Sequence, residues 1–335
     1  MAKRKRLLIL GGTAFLGRAL VGAAQKRDLE ITLFNRGKTN PDLFPELEVL
    51  HGERDGDLGV LAGRRWDYCI DTCGYVPRII EQSAQLLSAS ISHYLFVSSI
   101  SVYANHAIAG DDETAELGTL EDATTEEITG ETYGPLKALC EEVVTQHFPQ
   151  RHTIVRPGLI VGPYDPTDRF SYWPHRIAQG GPTLAPGNPE GPVQFIDVRD
   201  LAAWCIELVL AQRTDTFDAT GPAEPLSMGQ LLQTCKETSG SDAKLVWADD
   251  AFLVEREVGP WMELPLWIPE SEREMAGFQR RNIDKALAAG LKTRALGDTL
   301  HSTLTWLAQR PTDYTWKAGM TTDKERELLA AIEVR

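Results

Sequence analysis

Three side chains near the middle of the sequence could together move a proton. Tyr133 and Lys137 are four residues apart, a spacing that places both on one face of a helix. An ammonium group beside a phenol lowers the pKa of the phenol and favours the phenolate, a base suited to neutral pH. Ser99, at the end of the apolar run "HYLFVSS", could hydrogen-bond a substrate oxygen. The three residue types predict acid–base chemistry, although a Tyr-x-x-x-Lys pair alone also occurs on solvated helix faces.

Pro135 lies between the tyrosine and the lysine and limits where this helix can begin. Proline is tolerated in the first turn of a helix but not in its interior. A shared face for Tyr133 and Lys137 therefore requires a helix that begins near Thr132.

A glycine-rich turn near the start of the chain could bind a phosphate. The stretch "ILGGTAFLG" (9–17) places Gly11 and Gly12 after an apolar run and Gly17 in the following helix. Such glycines permit a tight turn, close approach of the backbone to a pyrophosphate, and close packing of helix on strand. Ala14 stands where a central glycine is expected. Its methyl group is compatible with a dinucleotide if the φ angle of Ala14 is negative.

The end of the second predicted strand bears on the choice of nucleotide. It reads "FNRGK", with Asn35, Arg36 and Lys38. No carboxylate is present there to repel a ribose 2′-phosphate, and Arg36 could pair with one. This pattern favours NADP over NAD, the alternative being that Arg36 is simply solvated.

These residues require a frame in which strands and helices alternate. The hydrophobic patterns predict strands at 6–10, 30–35, 47–51, 67–72, 93–99 and 151–157, and helices at 15–27, 77–90 and 132–148. The fold class is therefore α/β, with a Rossmann-type doubly wound parallel sheet. Ligands of such sheets bind at the carboxyl ends of the strands, which is where the glycine turn and Ser99 fall.

The second half of the chain has a different character. Two stretches after residue 157 are rich in glycine and proline and are predicted to be loops. A dinucleotide-binding domain is predicted for 1–160, and a smaller α/β substrate-binding region with C-terminal helices for 161–335. The segment 193–222 contributes to either part. The elements predicted after residue 161 are strands at 193–198 and 216–220, and helices at 199–212, from 227, and at 283–290, 297–309 and 322–334. The acidic stretch 104–131 is interpreted as a mobile flap or surface excursion.

Composition excludes several classes of protein. Of 335 residues, 42% are apolar and 24% charged, as in ordinary globular proteins. A net charge of −14 argues against a general nucleic-acid binder. No apolar run approaches a membrane span, and the basic opening "MAKRKR" precedes too short an apolar stretch for a signal peptide, so a cytoplasmic protein is predicted. The seven histidines and five cysteines form no ligand-like cluster, so no metal is predicted.

The order of these features resembles the extended short-chain dehydrogenase/reductase superfamily, NAD-dependent epimerase/dehydratase type. "IVRPGLIVGP" (154–163), "VQFIDVRDLA" (193–202), "FDATGP" (217–222) and the tail 283–306 are similar to later motifs of that family. The variant turn "GGTAFLG" resembles an atypical branch, which includes the chloroplast stem-loop-binding proteins and bacterial reductase-like relatives.

The resemblance implies an oxidoreductase or epimerase that transfers a hydride at a hydroxyl or carbonyl carbon of a small molecule. Tyr133 would be the acid/base, Lys137 would lower its pKa and hold the nicotinamide ribose, and Ser99 would orient the substrate oxygen. The implied NAD(P)-binding residues are Gly11, Thr13, Phe15, Leu16 and Gly17 at the pyrophosphate, Asn35, Arg36, Thr72, Cys73 and Gly74 on the adenosine side, and Tyr133, Lys137 and Pro157 near the nicotinamide. The resemblance also suggests a homodimer built from the helices at 77–90 and 132–148.

Departures from the family pattern reduce the range of expected reactions and substrates. Sugar-nucleotide 4,6-dehydratases carry an Asp-Glu pair after the serine of strand five, whereas this chain has Ile100 and Ser101, so dehydration is disfavoured. The arginine that binds nucleotide-sugar phosphates in epimerases is replaced near 193–194 by Val-Gln. A nucleotide sugar is therefore not expected, unless another arginine substitutes; the candidates are Arg169, Arg176 and Arg199.

Three aromatic residues are candidates for the substrate pocket, with a role in the core as the alternative. They are Tyr103, Tyr164 and Trp173. Two other functions compete with catalysis. One is RNA binding or RNA cleavage, by likeness to the stem-loop-binding proteins. The other is a non-catalytic NAD(P)-sensing regulator, which would be expected to have lost part of the Ser-Tyr-Lys set.

Overall fold

Parallel strands with helices between them form the larger part of the molecule. The computed structural model describes residues 4–333. Its strands are β1 (Lys5–Leu10), β2 (Leu29–Asn35), β3 (Glu48–His51), β4 (Trp66–Asp71), β5 (Ile91–Val97), β6 (His152–Pro157), β7 (Ile160–Val161), β8 (Pro182–Pro186), β9 (Pro192–Val193), β10 (Ile196–Asp197), β11 (Asp215–Ala219), β12 (Leu226–Ser227) and β13 (Lys244–Ala248).

The helices connect these strands and cover both faces of the sheet. They are α1 (Phe15–Ala24), α2 (Pro77–Leu87), α3 (Tyr133–His147), α4 (Tyr172–Ala178), α5 (Val198–Leu210), α6 (Met228–Ser239), α7 (Asp250–Glu255), α8 (Asp284–Ala288), α9 (Leu296–Leu307) and α10 (Thr322–Glu333). Short 3₁₀ turns lie at Gly59–Leu61, Ile100–Val102 and Arg273–Met275. None of the described helices is long and apolar enough to cross a membrane.

Seven strands form the central sheet in the order β11-β6-β5-β4-β1-β2-β3, and every pairing is parallel. The chain runs outward from β1 through β2 and β3, then returns to its other side at β4. This reversal is the topological switch point at which doubly wound folds bind ligands. The predicted fold class is confirmed.

Burial on both faces explains why the strands read as continuous apolar runs. Residues 7–10 of β1 are fully buried, as expected when helices cover a parallel sheet on both sides. Helices α1 and α5 pack together over one face, and α2 packs against α3 over the other. The homodimer suggested for α2 and α3 stays a prediction.

A second apolar core lies beyond β6, and the sequence missed some of its elements. The stretches predicted to be loops contain α4 and strand β8, which pairs in parallel with β13. Prolines at both ends of β8 masked the strand; they are accommodated because the described pairing uses one side of it. The single strand predicted at 193–198 is also wrong. It is divided into β9 and β10, which pair with different partners, β12 and β7.

The acidic excursion 104–131 is anchored over its first half, contrary to the interpretation of a mobile flap. The backbone N–H of Gly110 donates to the carbonyl of Arg280 at 2.7 Å, and that of Asn282 to the carbonyl of Asp111 at 2.9 Å. A buried Arg281–Asp218 ion pair of 2.8 Å lies beside these contacts. The second half, 119–131, is mostly exposed and contains no described helix or strand.

Candidate active site

A groove of about 630 Å³ crosses the carboxyl ends of β1, β2, β4, β5 and β6. It is lined by the glycine turn at one side and by the ends of β5 and α3 at the other. Of the residues singled out from the sequence, it brings together Gly11, Thr13, Phe15, Leu16, Gly17, Asn35, Arg36, Thr72, Cys73, Ser99, Tyr133, Lys137 and Pro157. The roles of these residues stay predictions, but their shared location is a property of the fold.

The glycine turn has the geometry that the sequence requires. Gly11 and Gly12 have φ angles of +110° and +105°, values that side chains rarely adopt. A Cβ on Gly17 would collide with the backbone of Gly12, so this glycine lets α1 pack directly on the turn. Ala14 has φ −122° and ψ 149°, so its methyl group is accommodated without strain.

The first turn of α1 presents free backbone N–H groups to the groove. Ala14, at the N-cap, provides no side-chain cap, and no acidic residue lies in the first turn. Helix N-termini of this kind favour anions because the unpaired N–H groups and the helix dipole both point at the ligand.

Cations and an amide lie at the carboxyl end of β2. The Asn35 side chain accepts a hydrogen bond from the N–H of Gly37 at 2.8 Å, which shapes the turn after the strand. Arg36 and Lys38 both line the groove, and the Arg36 side chain is 58% exposed. Glu53, 3.8 Å from the Arg36 guanidinium, is an opposing charge that sequence position alone did not place there.

The helix that carries Tyr133 and Lys137 begins where the pair requires. Helix α3 starts at Tyr133, with Thr132 at its N-cap, so Pro135 falls in the first turn. A Cβ on Gly134 would collide with the carbonyl oxygen of Ser101. This glycine therefore lets α3 approach the segment after β5, and it brings Tyr133 close to Ser99.

Lys137 is buried at the floor of the groove. Its Nζ donates to the carbonyl oxygens of Gly74 and Val97, both at 2.7 Å, and burial lowers its pKa to about 8. Gly74 does not line the groove. It supports the site through its carbonyl and by leaving room for Ile80 and Phe96, which a Cβ there would strike.

The pKa of Tyr133 differs from the expectation drawn from its neighbouring lysine. Burial raises the pKa of Tyr133, while the nearby Ser99 hydroxyl and the charge of Arg169 act in the opposite direction. Lys137 instead directs its ammonium group to backbone carbonyls. Burial of Tyr133 therefore favours its neutral phenol form.

A buried charge network supports the opposite end of the groove, and the sequence reading missed it. Arg54 donates to Asp71 Oδ1 and to Ser83 Oγ, both at 2.7 Å. The Tyr94 hydroxyl donates to Asp71 Oδ2 at 2.7 Å, and the Arg54 guanidinium also contacts Cys73 Sγ at 3.6 Å. An arginine directly after β3 was the available signal, but nothing in its position identified Asp71 as its partner.

The three aromatic candidates for the substrate pocket do not line this groove. Trp173 is fully buried in the second core and donates to the carbonyl of Pro265 at 2.7 Å. Tyr103 is buried, with its hydroxyl bonded to Asp218 and Arg156. Tyr164 is exposed, and its ring centroid lies 3.6 Å from the Arg18 guanidinium in a second cavity, outside the groove. The structure favours the core or surface reading for all three.

Unpartnered polar atoms show that the groove suits a polar ligand. Ser98 Oγ and Arg54 Nε are buried, have no hydrogen-bond partner among the described residues, and belong to groove-lining residues. Buried polar atoms are nearly always hydrogen-bonded, so these two unpartnered atoms are compatible with a polar ligand in the groove. With the free N–H groups of α1, they make the residues present compatible with a dinucleotide.

Comparisons with known proteins agree with this geometry. Residues 64–218 match the model of the NAD dependent epimerase/dehydratase family, which confirms the resemblance to that type of extended short-chain dehydrogenase/reductase. The segment so matched contains β4 to β6 and Ser99, Tyr133 and Lys137.

One curated relative and two solved structures illustrate the range of similarity. The chain is 25% identical over 271 residues to the chloroplast stem-loop binding protein of 41 kDa b of Arabidopsis thaliana, covering 71% of this chain and 64% of that protein. The UDP-Glc/GlcNAc 4-epimerase of Campylobacter jejuni superposes with a TM-score of 0.67 at 15% identity, covering 91% of this chain and all of the other. The UDP-N-acetylglucosamine 4-epimerase of Bacillus cereus gives 0.66 at 15%, covering 90% and 99%. At these identities the structures show a shared fold.

Proposed function

We propose that the chain is an NAD(P)-dependent oxidoreductase or epimerase that acts at a hydroxyl or carbonyl carbon of a small molecule. The observation that carries this proposal is the continuity of one groove. It runs from the glycine turn to Ser99, Tyr133 and Lys137, so a dinucleotide held at the turn would reach the acid–base residues. An intact set of this kind argues against a non-catalytic sensor.

Each residue of the proposed site has a separate role in the reaction. A bound nicotinamide supplies or accepts the hydride at the substrate carbon. Tyr133 exchanges a proton with the substrate oxygen, and Ser99 holds that oxygen by a hydrogen bond. Lys137, fixed by the carbonyls of Gly74 and Val97, keeps a positive charge under the groove and stabilises the phenolate when it forms.

We further propose a preference for NADP. Arg36 and Lys38 line the groove beyond β2, and no carboxylate occupies the end of that strand. Glu53 weakens this positive field because it lies 3.8 Å from Arg36. The substrate is expected not to be a nucleotide sugar, and Ile100 and Ser101 leave 4,6-dehydration without its acid.

Replacement of Tyr133 by phenylalanine tests the proposal. The purified protein is first titrated with NADPH and NADH by fluorescence, and turnover is then sought with hydroxyl and carbonyl compounds. Tyr133→Phe is expected to lower the rate of hydride transfer about 10²- to 10⁴-fold, the usual worth of a positioned acid or base, with cofactor affinity retained. Tyr164→Phe, which removes an exposed phenol hydroxyl outside the groove, is the matched control. Unchanged turnover in Tyr133→Phe would contradict the mechanism.

RNA binding is a second candidate because the Arabidopsis relative is named a stem-loop binding protein. A net charge of −14 counts against it, since affinity for RNA depends on neutralising phosphates. Fluorescence anisotropy with a labelled RNA stem-loop decides the matter. Affinity that falls steeply as salt rises would favour this candidate, whereas no binding at 10 µM protein or less, on the order of ordinary non-specific affinities, would remove it.

A further inference from the structure

Three arginines were candidates to bind an anionic substrate, and two of them are already neutralised. Arg176 Nε lies 2.6 Å from a carboxylate oxygen of Glu325. Arg199 pairs with Asp197 at 2.6 Å. The side chain of Arg169 makes no hydrogen bond or ion pair with any residue from 4 to 333.

The surroundings of Arg169 make this lack of a partner unusual. Its Nε is buried without a hydrogen bond, and its guanidinium lies 5.9 Å from the ring centroid of Trp261. Burial lowers the pKa of Arg169, which reflects a charge removed from water. Charges removed from water are normally paired, so this half-buried guanidinium without a counter-charge is kept at a cost to the folded state.

A clamp on the preceding residue fixes the loop that presents Arg169. Asp168 is fully buried with φ +63°. Its carboxylate accepts hydrogen bonds from the guanidinium of Arg310 at 2.7 Å, the hydroxyl of Tyr314 at 2.9 Å and the N–H of Lys317 at 3.0 Å. The C-terminal segment therefore holds the loop from one side.

The same loop borders the groove. Pro166 lines it together with Tyr133, and Arg169 is near enough to Tyr133 for its charge to lower the pKa of that residue. Arg169 follows Pro166 by three residues and does not itself line the groove, so its guanidinium borders the Tyr133 end of the groove with donors still free.

Asp165, on the same loop, acts on Arg169 through its charge, which opposes the lowering of the arginine's pKa by burial, but it forms no ion pair with the guanidinium. Its Oδ1 accepts two hydrogen bonds from Thr167, both at 2.8 Å, while its buried Oδ2 has no partner. No contact of 4.0 Å or less joins it to Arg169 among the described ion pairs. Asp165 therefore orders the loop and leaves the guanidinium without a bound anion.

We propose that Arg169 binds an anionic group of the substrate, a carboxylate or a phosphate, close to the carbon at which Tyr133 acts. A planar guanidinium can hold either anion through two parallel hydrogen bonds, which adds direction to charge. Such an anchor would fix the reacting carbon relative to Tyr133 and Ser99. The substrate class is then a hydroxy acid or a phosphorylated polyol and its oxidised partner. This inference rests on the function proposed above.

The test is calorimetric titration of the cofactor-loaded protein with matched probes. D-glycerate and glycerol 3-phosphate are compared with glycerol, and D-gluconate and glucose 6-phosphate with glucose. At least one acid is expected to bind tenfold or more tightly than its neutral parent, and the carboxylate and phosphate arms identify which anion is preferred. Arg169→Gln should abolish the difference, and Arg169→Lys should retain part of it.

Two controls separate this inference from the proposed function and from misfolding. Arg213→Gln removes one exposed charge elsewhere and should leave anion binding unchanged. Arg169→Gln should keep the NADPH affinity of the parent and should not lower its melting temperature, because it removes a half-buried charge that has no partner among the described residues. Failure of the parent protein to bind either nucleotide would defeat the proposed function. Cofactor binding with no preference for the acids, or with a preference that survives in Arg169→Gln, would overturn this inference alone.

Discussion

Two arginines differ in whether the fold pairs them: Arg54, which lines the groove, and Arg169, on the loop that borders it. Arg54 is paired with Asp71, which in turn accepts a hydrogen bond from Tyr94. Arg169 is also partly buried but has no partner among the described residues. A charge with its counter-charge stabilises the frame that holds the cofactor, whereas a charge without one is available to a ligand. The first should therefore matter to folding and the second to recognition.

The largest loss of unfolding free energy is expected when the Arg54–Asp71 ion pair is broken. Asp71→Ala leaves the Arg54 guanidinium buried and unpaired, which typically costs about 3–5 kcal/mol of unfolding free energy. Tyr94→Phe removes one hydrogen bond to the Asp71 carboxylate but keeps the ion pair, at a cost of about 1.5–3 kcal/mol because the acceptor is charged. Urea denaturation of these two variants and of Arg169→Gln compares the unfolding free energy lost when a paired and an unpaired arginine site are changed. Equal losses in Asp71→Ala and Arg169→Gln would remove the distinction between the two arginines.

Lys137 is intermediate between the paired Arg54 and the unpaired Arg169, because its buried ammonium group is held by carbonyl oxygens. Its contribution to the stability of the fold depends on pH. Burial lowers its pKa from 10.5 to about 8. Between these values the unfolded chain binds more protons than the folded one, so the contribution of Lys137 to stability rises with pH. The slope is at most about 1.4 kcal/mol per pH unit.

Urea denaturation of the parent and of Lys137→Met, repeated between pH 7 and 10, isolates this slope from that of other groups. The difference in unfolding free energy between the two proteins should move in favour of the parent as the pH rises above about 8. Parallel pH profiles would show that the ammonium group is not desolvated as the structure indicates.

The smallest expected effect is a change in nucleotide affinity when the exposed charges at the mouth of the groove are replaced. Arg36→Ala should weaken NADPH binding by roughly three- to tenfold, about 1 kcal/mol as for an exposed ion pair, and should leave NADH binding unchanged. Glu53→Gln should act in the opposite direction by removing the opposing charge. Fluorescence titration gives both constants, with Arg65→Ala, another exposed arginine, as control. Tighter binding of NADH than of NADPH by the parent would refute the preference.

Features that depend on local chain geometry could be predicted from the sequence. The glycine turn and the position of Tyr133 in the first turn of α3 follow from residue type and spacing, so both were located correctly. Strands buried on both faces, such as β1 and β5, carry an unbroken apolar signal. The short strand β8 lacks that signal because prolines bound it and it pairs with a segment 62 residues away.

Contacts between distant segments could not be predicted in the same way. The Arg54–Asp71 pair could not be predicted, because the sequence does not show that the loop after β3 returns an arginine to the end of β4. Tyr103 looked like a pocket residue because its partners, Arg156 and Asp218, come from two other strands. For a related reason the sequence did not show that two backbone carbonyls hold the ammonium group of Lys137, and its effect on Tyr133 stays a prediction.

The clamp on Asp168 links substrate choice to the far end of the chain. Arg310 and Tyr314 hold a loop 142 and 146 residues before them without lining the groove themselves. In a genetic selection for altered substrate preference, changes at these two positions should appear beside changes at Arg169. If the loop were grafted onto a related protein, Arg310 and Tyr314 would have to be transferred with it, because they hold Asp168 in place.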